Sequence, residues 1–303
     1  MSTGAHGNRP TRNQQREAAR AKAKELREQQ HKNDKRRKLF IQGGVALAVI
    51  AIAAIFISTI ATSAPKEGPR PANMASDGIV LSGANMAAVL SDAGSPGADP
   101  VANMPMPGSS TVAIEVYQDY LCPACKAFDG ANAEQLQTLV EAGAATLEIH
   151  PIGMLANQSA GTKYSLRSSA AAACVANYSP DTFWKVNQAF YANQPQEGTP
   201  GLNDDEITAL IATQKPQNQA KIDKCIKDKT FIPWATKATD YALSGPMAQA
   251  AKDSGAAGVG TPTILVNGKV YTGSIVDAKE FLAFVTQVAG ESASTTPATP
   301  AAG

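Results

Sequence analysis

The period of the apolar positions divides the chain. Residues 39–65 contain no charged residue, and Phe40, Ile41, Val45, Leu47, Val49, Ile50, Ile52, Ile55, Phe56, Ile57 and Ile60 form one apolar block. The 23 residues from 39 to 61 match the roughly 20 that a membrane-spanning helix needs. Further on, short β-branched and aromatic runs predict strands at 78–81 (a lead-in edge strand), 112–117 and 146–150. A helix is predicted from Lys126 through Phe128, Leu136, Leu139 and Val140. Helical patterns then follow at 164–177, 181–192, 204–212, 217–229 and 233–254, the last broken near Gly245-Pro246. Asp181 is the expected N-cap of its helix, and Trp184, Phe190 and Trp234 are expected in the core. Strands at 263–266 and 269–271 flank the turn signal Asn267-Gly268, and a final helix covers 277–288. Residues 65–76 read as a linker, 94–110 as a loop in which Met104 and Met106 are incidental, and 291–303 as a disordered tail.

The apolar block is longer than the 7–15 residues typical of a cleaved signal core, which favours an uncleaved anchor. Charge gives its direction. Residues 1–38 hold 12 Lys/Arg against 4 Asp/Glu, and the rest hold 15 against 22, an asymmetry hidden in the net +1. The basic end, with Lys35-Arg36-Arg37-Lys38 at the membrane, is expected to stay cytoplasmic, with everything after Ala64 outside. The tail lacks interleaved aromatics and any nucleic-acid-binding motif, so nucleic acid is not an expected partner; the lipid bilayer is.

Chemistry enters with Cys122-Pro123-Ala124-Cys125, between the strand at 112–117 and the following helix. Two cysteines at this spacing exchange between dithiol and disulfide with little backbone movement. At a helix N-terminus the unpaired N–H groups and the positive dipole end favour the thiolate, which attacks disulfides. The same spacing is half a zinc site, but a zinc needs four ligands. Cys174 and Cys225 are isolated in sequence, His6 and His31 lie in the basic tail, and His150 stands alone, so no metal is expected. A second clue is Gly258-Val259-Gly260-Thr261-Pro262 before the strand at 263–266, with Pro262 expected as its first residue. No cofactor is expected, since Lys126 follows Cys125 where haem attachment needs His and no G-x-G-x-x-G joins a strand to a helix.

Together the two clues resemble the thioredoxin superfamily. The 137 residues between Cys125 and Pro262 and the run Tyr117-Gln118-Asp119-Tyr120-Leu121-Cys122-Pro123 are similar to its DsbA-like thiol–disulfide oxidoreductase branch, of the actinobacterial membrane-anchored type. The resemblance covers roughly residues 78–290. It implies an α/β thioredoxin-like fold with an inserted helical domain, preceded by one N-terminal transmembrane helix. The expected organisation begins with a basic cytoplasmic tail at 1–38, an anchor at 39–61 and a linker at 62–77. A first thioredoxin-like segment at 78–163 carries the dithiol motif, and a helical insertion follows at 164–254. A second thioredoxin-like segment at 255–290 completes the domain before the tail at 291–303. The resemblance implies Cys122 as exposed nucleophile, Cys125 as partly buried resolving thiol, and Thr261-Pro262 as a cis-proline loop facing them. Ala124 departs from the histidine of the enteric DsbA type, which implies a weaker oxidant. The family's buried acid, six residues before the first cysteine, is replaced by Val116, while Glu115 points to the other face. Glu148 and Asp119 are candidates for that acid, but both read as solvated surface carboxylates.

Four cysteines allow three pairings. If Cys122 pairs with Cys125 the remainder is Cys174–Cys225, and an extra bridge in the helical insertion is similar to actinobacterial DsbA-like proteins; two separate buried thiols are the alternative. The resemblance implies an extracytoplasmic enzyme that introduces disulfides into exported proteins. Its partners would be client proteins with free cysteines and a membrane quinone reductase of the DsbB or vitamin-K-epoxide-reductase type. Two rivals remain open: a reductase or isomerase, and an anchored, non-catalytic binding or chaperone-like module.

Overall fold

The computed structural model describes residues 68–102 and 111–294. The chain divides into a unit from Met1 to Thr62 and a second from Ser63 to Gly303, and the described residues all belong to the second. The anchor at 39–61, the basic tail, Met104 and Met106 therefore lie outside the described residues. Among the described residues no helix is long and apolar enough to cross a membrane.

Six strands of the described residues form one sheet: β1 (Ile79–Ser82), β2 (Ala87–Ala88), β3 (Val112–Gln118), β4 (Ala145–Pro151), β5 (Thr263–Val266) and β6 (Lys269–Val270), in the order β2-β1-β4-β3-β5-β6. β3 pairs in parallel with β4 and antiparallel with β5. It is buried along nearly its whole length, which explains its almost unbroken apolar run. The parallel step from β3 to β4 is made by helix α1 (Pro123–Glu141), with Gly130 inside it without a break. Ile114, Val116, Leu147, Ile149, Ile264 and Val266 share a core with Phe128, Leu136 and Val140 of α1. Phe281, Val285 and Val288 of the last helix, α8 (Ala278–Ser294), join the same core.

Between β4 and β5 come α2 (Tyr164–Tyr178), α3 (Phe183–Ala192), α4 (Asp204–Thr213), α5 (Gln219–Lys227), α6 (Ile232–Ser244) and α7 (Pro246–Ser254). α2 is the centre of this group: its small residues Ala170–Ala173 are buried and let neighbours approach closely. Asn203 and Glu206 form a reciprocal capping box on α4. Pro246 cannot continue the helical hydrogen bonding of α6, and it opens α7 as an N-terminal residue. Cys174 on α2 and Cys225 on α5 form a disulfide with a Cα–Cα distance of 6.0 Å. Trp184, Phe190 and Trp234 are buried.

Several expectations are corrected. Residues 68–76, read as linker, pack on the domain: Met74 is fully buried, and Arg70 pairs with Asp77 at 2.7 Å. Asn73 and Ala72 bond to Ala176 and Asn177 of α2. Proline and glycine content marks a lack of periodicity there, not a lack of contacts. β1 is not an edge, because β2 pairs outside it. Asp181 lies in a single 3-10 turn before α3 and accepts from the Ala88 N–H, so it does not cap the helix. Glu291 belongs to α8 and pairs with Lys269, while Asn267 bonds Ser292; these contacts carry the helix past the expected boundary.

Candidate functional site

Cys122 is the N-cap of α1, with extended backbone angles (φ −75°, ψ 118°) and Pro123 next in the first helical position. Pro123 loses nothing there, because a first-turn N–H has no helical partner. One turn on, Cys125 faces the core. Both are free thiols. The Thr261–Pro262 peptide is cis, and the Cys122 thiol donates to the Thr261 carbonyl at 3.2 Å. Pro262 stands just before β5 rather than inside it.

The chain thus brings together Cys122, Cys125, Thr261 and Pro262. Cys122 is not the exposed thiol expected: it is 7 % exposed, because the Thr261 loop lies over its sulfur. Cys125, expected as partly buried, is 2 % exposed. Pro123 is exposed and Ala124 half-buried, leaving the helix start as the accessible part of the centre. The Cys125 thiol, by hydrogen bonding, is the main reason the Cys122 thiol is lowered from 9.0 to about 7; burial acts against it. Burial pushes the Cys125 thiol well above its ordinary value, and the neighbouring Cys122 adds to this. The two sulfurs are therefore unequal: one ionises near neutrality and the other stays protonated.

Residues from outside the motif hold the loop. Asp119 accepts from the Leu121 N–H and the Leu155 N–H, each at 2.8 Å, and from the Ser165 hydroxyl at 2.5 Å. Its own N–H reaches the Cys125 sulfur at 3.5 Å. Asp119 is fully buried, not solvated as expected, and burial raises its carboxyl from 3.8 to about 6. Gln194, after α3, donates to the Cys122 carbonyl at 2.9 Å. Below the centre, Asn187 of α3 accepts from Gln118 at 2.5 Å and from Tyr120 at 3.0 Å. From sequence Asp119 is a candidate for the family's acid but reads as solvated, and Gln194 is not singled out. The only signal was the proximity of Asp119 to Cys122.

Glu148 is also buried rather than solvated, and His150 is not alone: its Nε2 lies 3.2 Å from Glu148 Oε1. Glu115 does project to the face opposite α1, as alternation requires, and sits beside Glu148 across the β3–β4 pair. Beside the dithiol, an open cleft of about 450 Å³ is lined by Ala124, Val259, Thr261, Pro262, Tyr271 and Ile275, among others. Chemically, the centre supplies a thiol that ionises near neutrality, a protonated partner within one helical turn, and an adjacent backbone loop.

A dithiol opening a helix after a central strand, faced by a cis-proline loop at the start of the strand antiparallel beside it, defines the thioredoxin class of fold and site. The chain belongs to the thioredoxin family, whose model matches residues 108–286, more than half of its length. Among solved structures, oxidised DsbA of Mycobacterium tuberculosis is similar in fold: TM-score 0.52 and 22% identity, over 72% of this chain and 98% of that one. Oxidised BdbD from Bacillus subtilis has a TM-score of 0.51 and 17% identity, over 74% of this chain and 98% of that one. A curated relative, the serine/threonine-protein kinase PknE of Mycobacterium tuberculosis, is 29% identical over 131 residues. That match takes in 42% of this chain and spans only 23% of the kinase.

Proposed function

We propose that this protein is a membrane-anchored, extracytoplasmic thiol–disulfide oxidoreductase of the DsbA type, donating disulfides to exported proteins through Cys122 and Cys125. The observation that carries the reading is the inequality of the two sulfurs: Cys122 at the helix start under Thr261, Cys125 buried behind it. In the oxidised enzyme a client thiolate attacks Cys122 Sγ. The Cys122–Cys125 bond breaks, a client–Cys122 disulfide forms, and Cys125 leaves with the electron pair and takes a proton. A second client thiolate attacks the client sulfur of that mixed disulfide. The client leaves oxidised, and Cys122 is released as the thiolate that helix N-terminus and neighbouring thiol stabilise. The Thr261 backbone holds the client as an extended segment, and the cleft beside Ala124 and Tyr271 takes its side chains.

Location and partners belong to the same proposal. The Cys174–Cys225 bridge supports an oxidising compartment, where such bonds persist. The apolar block at 39–61 supports an anchor, and reoxidation falls to a membrane quinone reductase of the DsbB or vitamin-K-epoxide-reductase type. A reductase or isomerase is favoured by one observation: a Cys122 thiol at about 7 is close to that of thioredoxin and far above the roughly 3.5 of a strong oxidant. Equilibration of the purified chain with glutathione separates the two. A potential near about −120 mV supports disulfide donation, and one near about −270 mV makes the protein a reductase. Cys125→Ser is expected to trap clients as mixed disulfides at Cys122, and Cys122→Ser to abolish activity. Retained biological function in Cys122→Ser would establish a binding module instead.

A further inference from the structure

A second cluster of chemistry-bearing side chains lies on the other face of the sheet and shares no residue with the dithiol centre. In the β3–β4 pair Glu115 stands opposite Glu148, and Tyr117 opposite His150. All four project away from α1. Glu148 and His150 are 4 % and 5 % exposed, and Glu115 is half-buried. Like charges directly across a strand pair are destabilising, and more so away from water.

The imidazole adds an independent observation: His150 Nε2 is buried and makes no hydrogen bond, although it lies in ion-pair contact with Glu148 Oε1 at 3.2 Å. One ligand atom from each of Glu115, Glu148 and His150 lies within 4.8 Å of the others.

The surroundings are shaped for this cluster. The Tyr117 ring stacks on the imidazole at 4.2 Å and 14°, which fixes its plane. The Ser76 hydroxyl bonds the Glu148 carboxylate and orients it. Glycine at position 78 allows the close approach, since a Cβ there would meet His150 at 2.7 Å and Glu148 Cγ at 2.9 Å.

We propose that Glu115, Glu148 and His150 form a structural site for one divalent cation of the zinc type, pinning β3, β4 and the 76–78 segment together. Two carboxylates and a neutral imidazole balance a dication. A tetrahedral ion with bonds of about 2.0–2.1 Å sets its ligands about 3.3 Å apart, close to the His150–Glu148 separation. An imidazole ligand and a set of only three side chains favour zinc over calcium, which takes six to eight oxygens.

The test uses the full chain with Cys122–Cys125 oxidised, so that thiolates do not compete, stripped by chelator and titrated with Zn²⁺ alone. Calorimetry and elemental analysis are expected to give one ion per chain. Glu115→Gln and Glu148→Gln are each expected to weaken binding tenfold or more, while His6→Asn and His31→Asn leave it unchanged. If Glu148→Gln does not fold by circular dichroism, Glu115→Gln, at the more open position, carries the comparison. Failure to retain one zinc per chain, or binding untouched by both glutamine substitutions, overturns the proposal and leaves a buried ion pair.

Discussion

Asp119 is the side chain whose environment departs furthest from what its own sequence neighbourhood implies. Its burial comes from Leu155 and Ser165, 36 and 46 residues away, so no local pattern announces it. Cys122 and Cys125, by contrast, are legible because a helix start translates a spacing of three directly into one site. For Asp119 the folded value of about 6 lies above the unfolded 3.8. Between these values the folded state binds more protons, so stability falls as pH rises from about 4 to about 6 and the loss is complete above that. The swing attributable to this group is about 3 kcal/mol. Asp119→Asn is expected to be less stable at low pH, having lost acceptors for Leu155 and Ser165, and to show a flatter pH dependence in urea unfolding. An unchanged slope would assign the effect elsewhere, Asp129 being raised to about 6 as well. Removing the Asp119 charge also lowers Cys122, on which the carboxylate acts unfavourably. In the reduced wild type, iodoacetamide should react at Cys122 with a rate that rises through pH about 7, and should leave Cys125 unmodified in the folded chain.

At the scale of elements, type was easier to read than boundary. The Asn267-Gly268 hairpin was visible because both residues take positive φ, which few others accept. The break at Gly245-Pro246 was visible for a different local reason, since proline cannot continue the helical hydrogen bonding. The start of α3, the pairing of β2 outside β1 and the extension of α8 depend on contacts from elsewhere, and local composition carries no trace of them. The α2–α5 bridge closes a 51-residue separation. In the chain-entropy model that is worth about 4 kcal/mol. Replacing both Cys174 and Cys225 by Ala should lower unfolding free energy by that order and leave Cys122 reactivity unchanged. Gly78→Ala should cost about 1–3 kcal/mol, because the added carbon meets the imidazole and Glu148. A neutral outcome in thermal unfolding would show that the 76–78 segment moves freely away from the cluster.

For the molecule as a whole, the order of strands differs sharply from the order of residues. β4 and β5 flank β3 on its two sides, yet the chain leaves β4 at Pro151 and returns only at Thr263. The thioredoxin-like architecture was legible because both diagnostic segments are short and local. The grip of the insertion on the active loop, through Ser165 and Gln194, was not, because it is made by residues whose neighbours in sequence are ordinary helix and turn. That topology also fixes a timetable. Ribosomes add about 5–20 residues per second. The 137 residues separating Cys125 from Pro262 therefore mean that the reactive pair exists for roughly ten seconds before its cover has been made. During that interval Cys174 and Cys225 also emerge, so the newborn chain carries four unguarded sulfurs at once. A chain ending at Ser254 should accordingly be alkylated at Cys125 as readily as at Cys122, whereas one reaching Ser294 should be protected at Cys125. A protein built to handle the sulfur chemistry of others is thus, while it is being made, a substrate for that same chemistry.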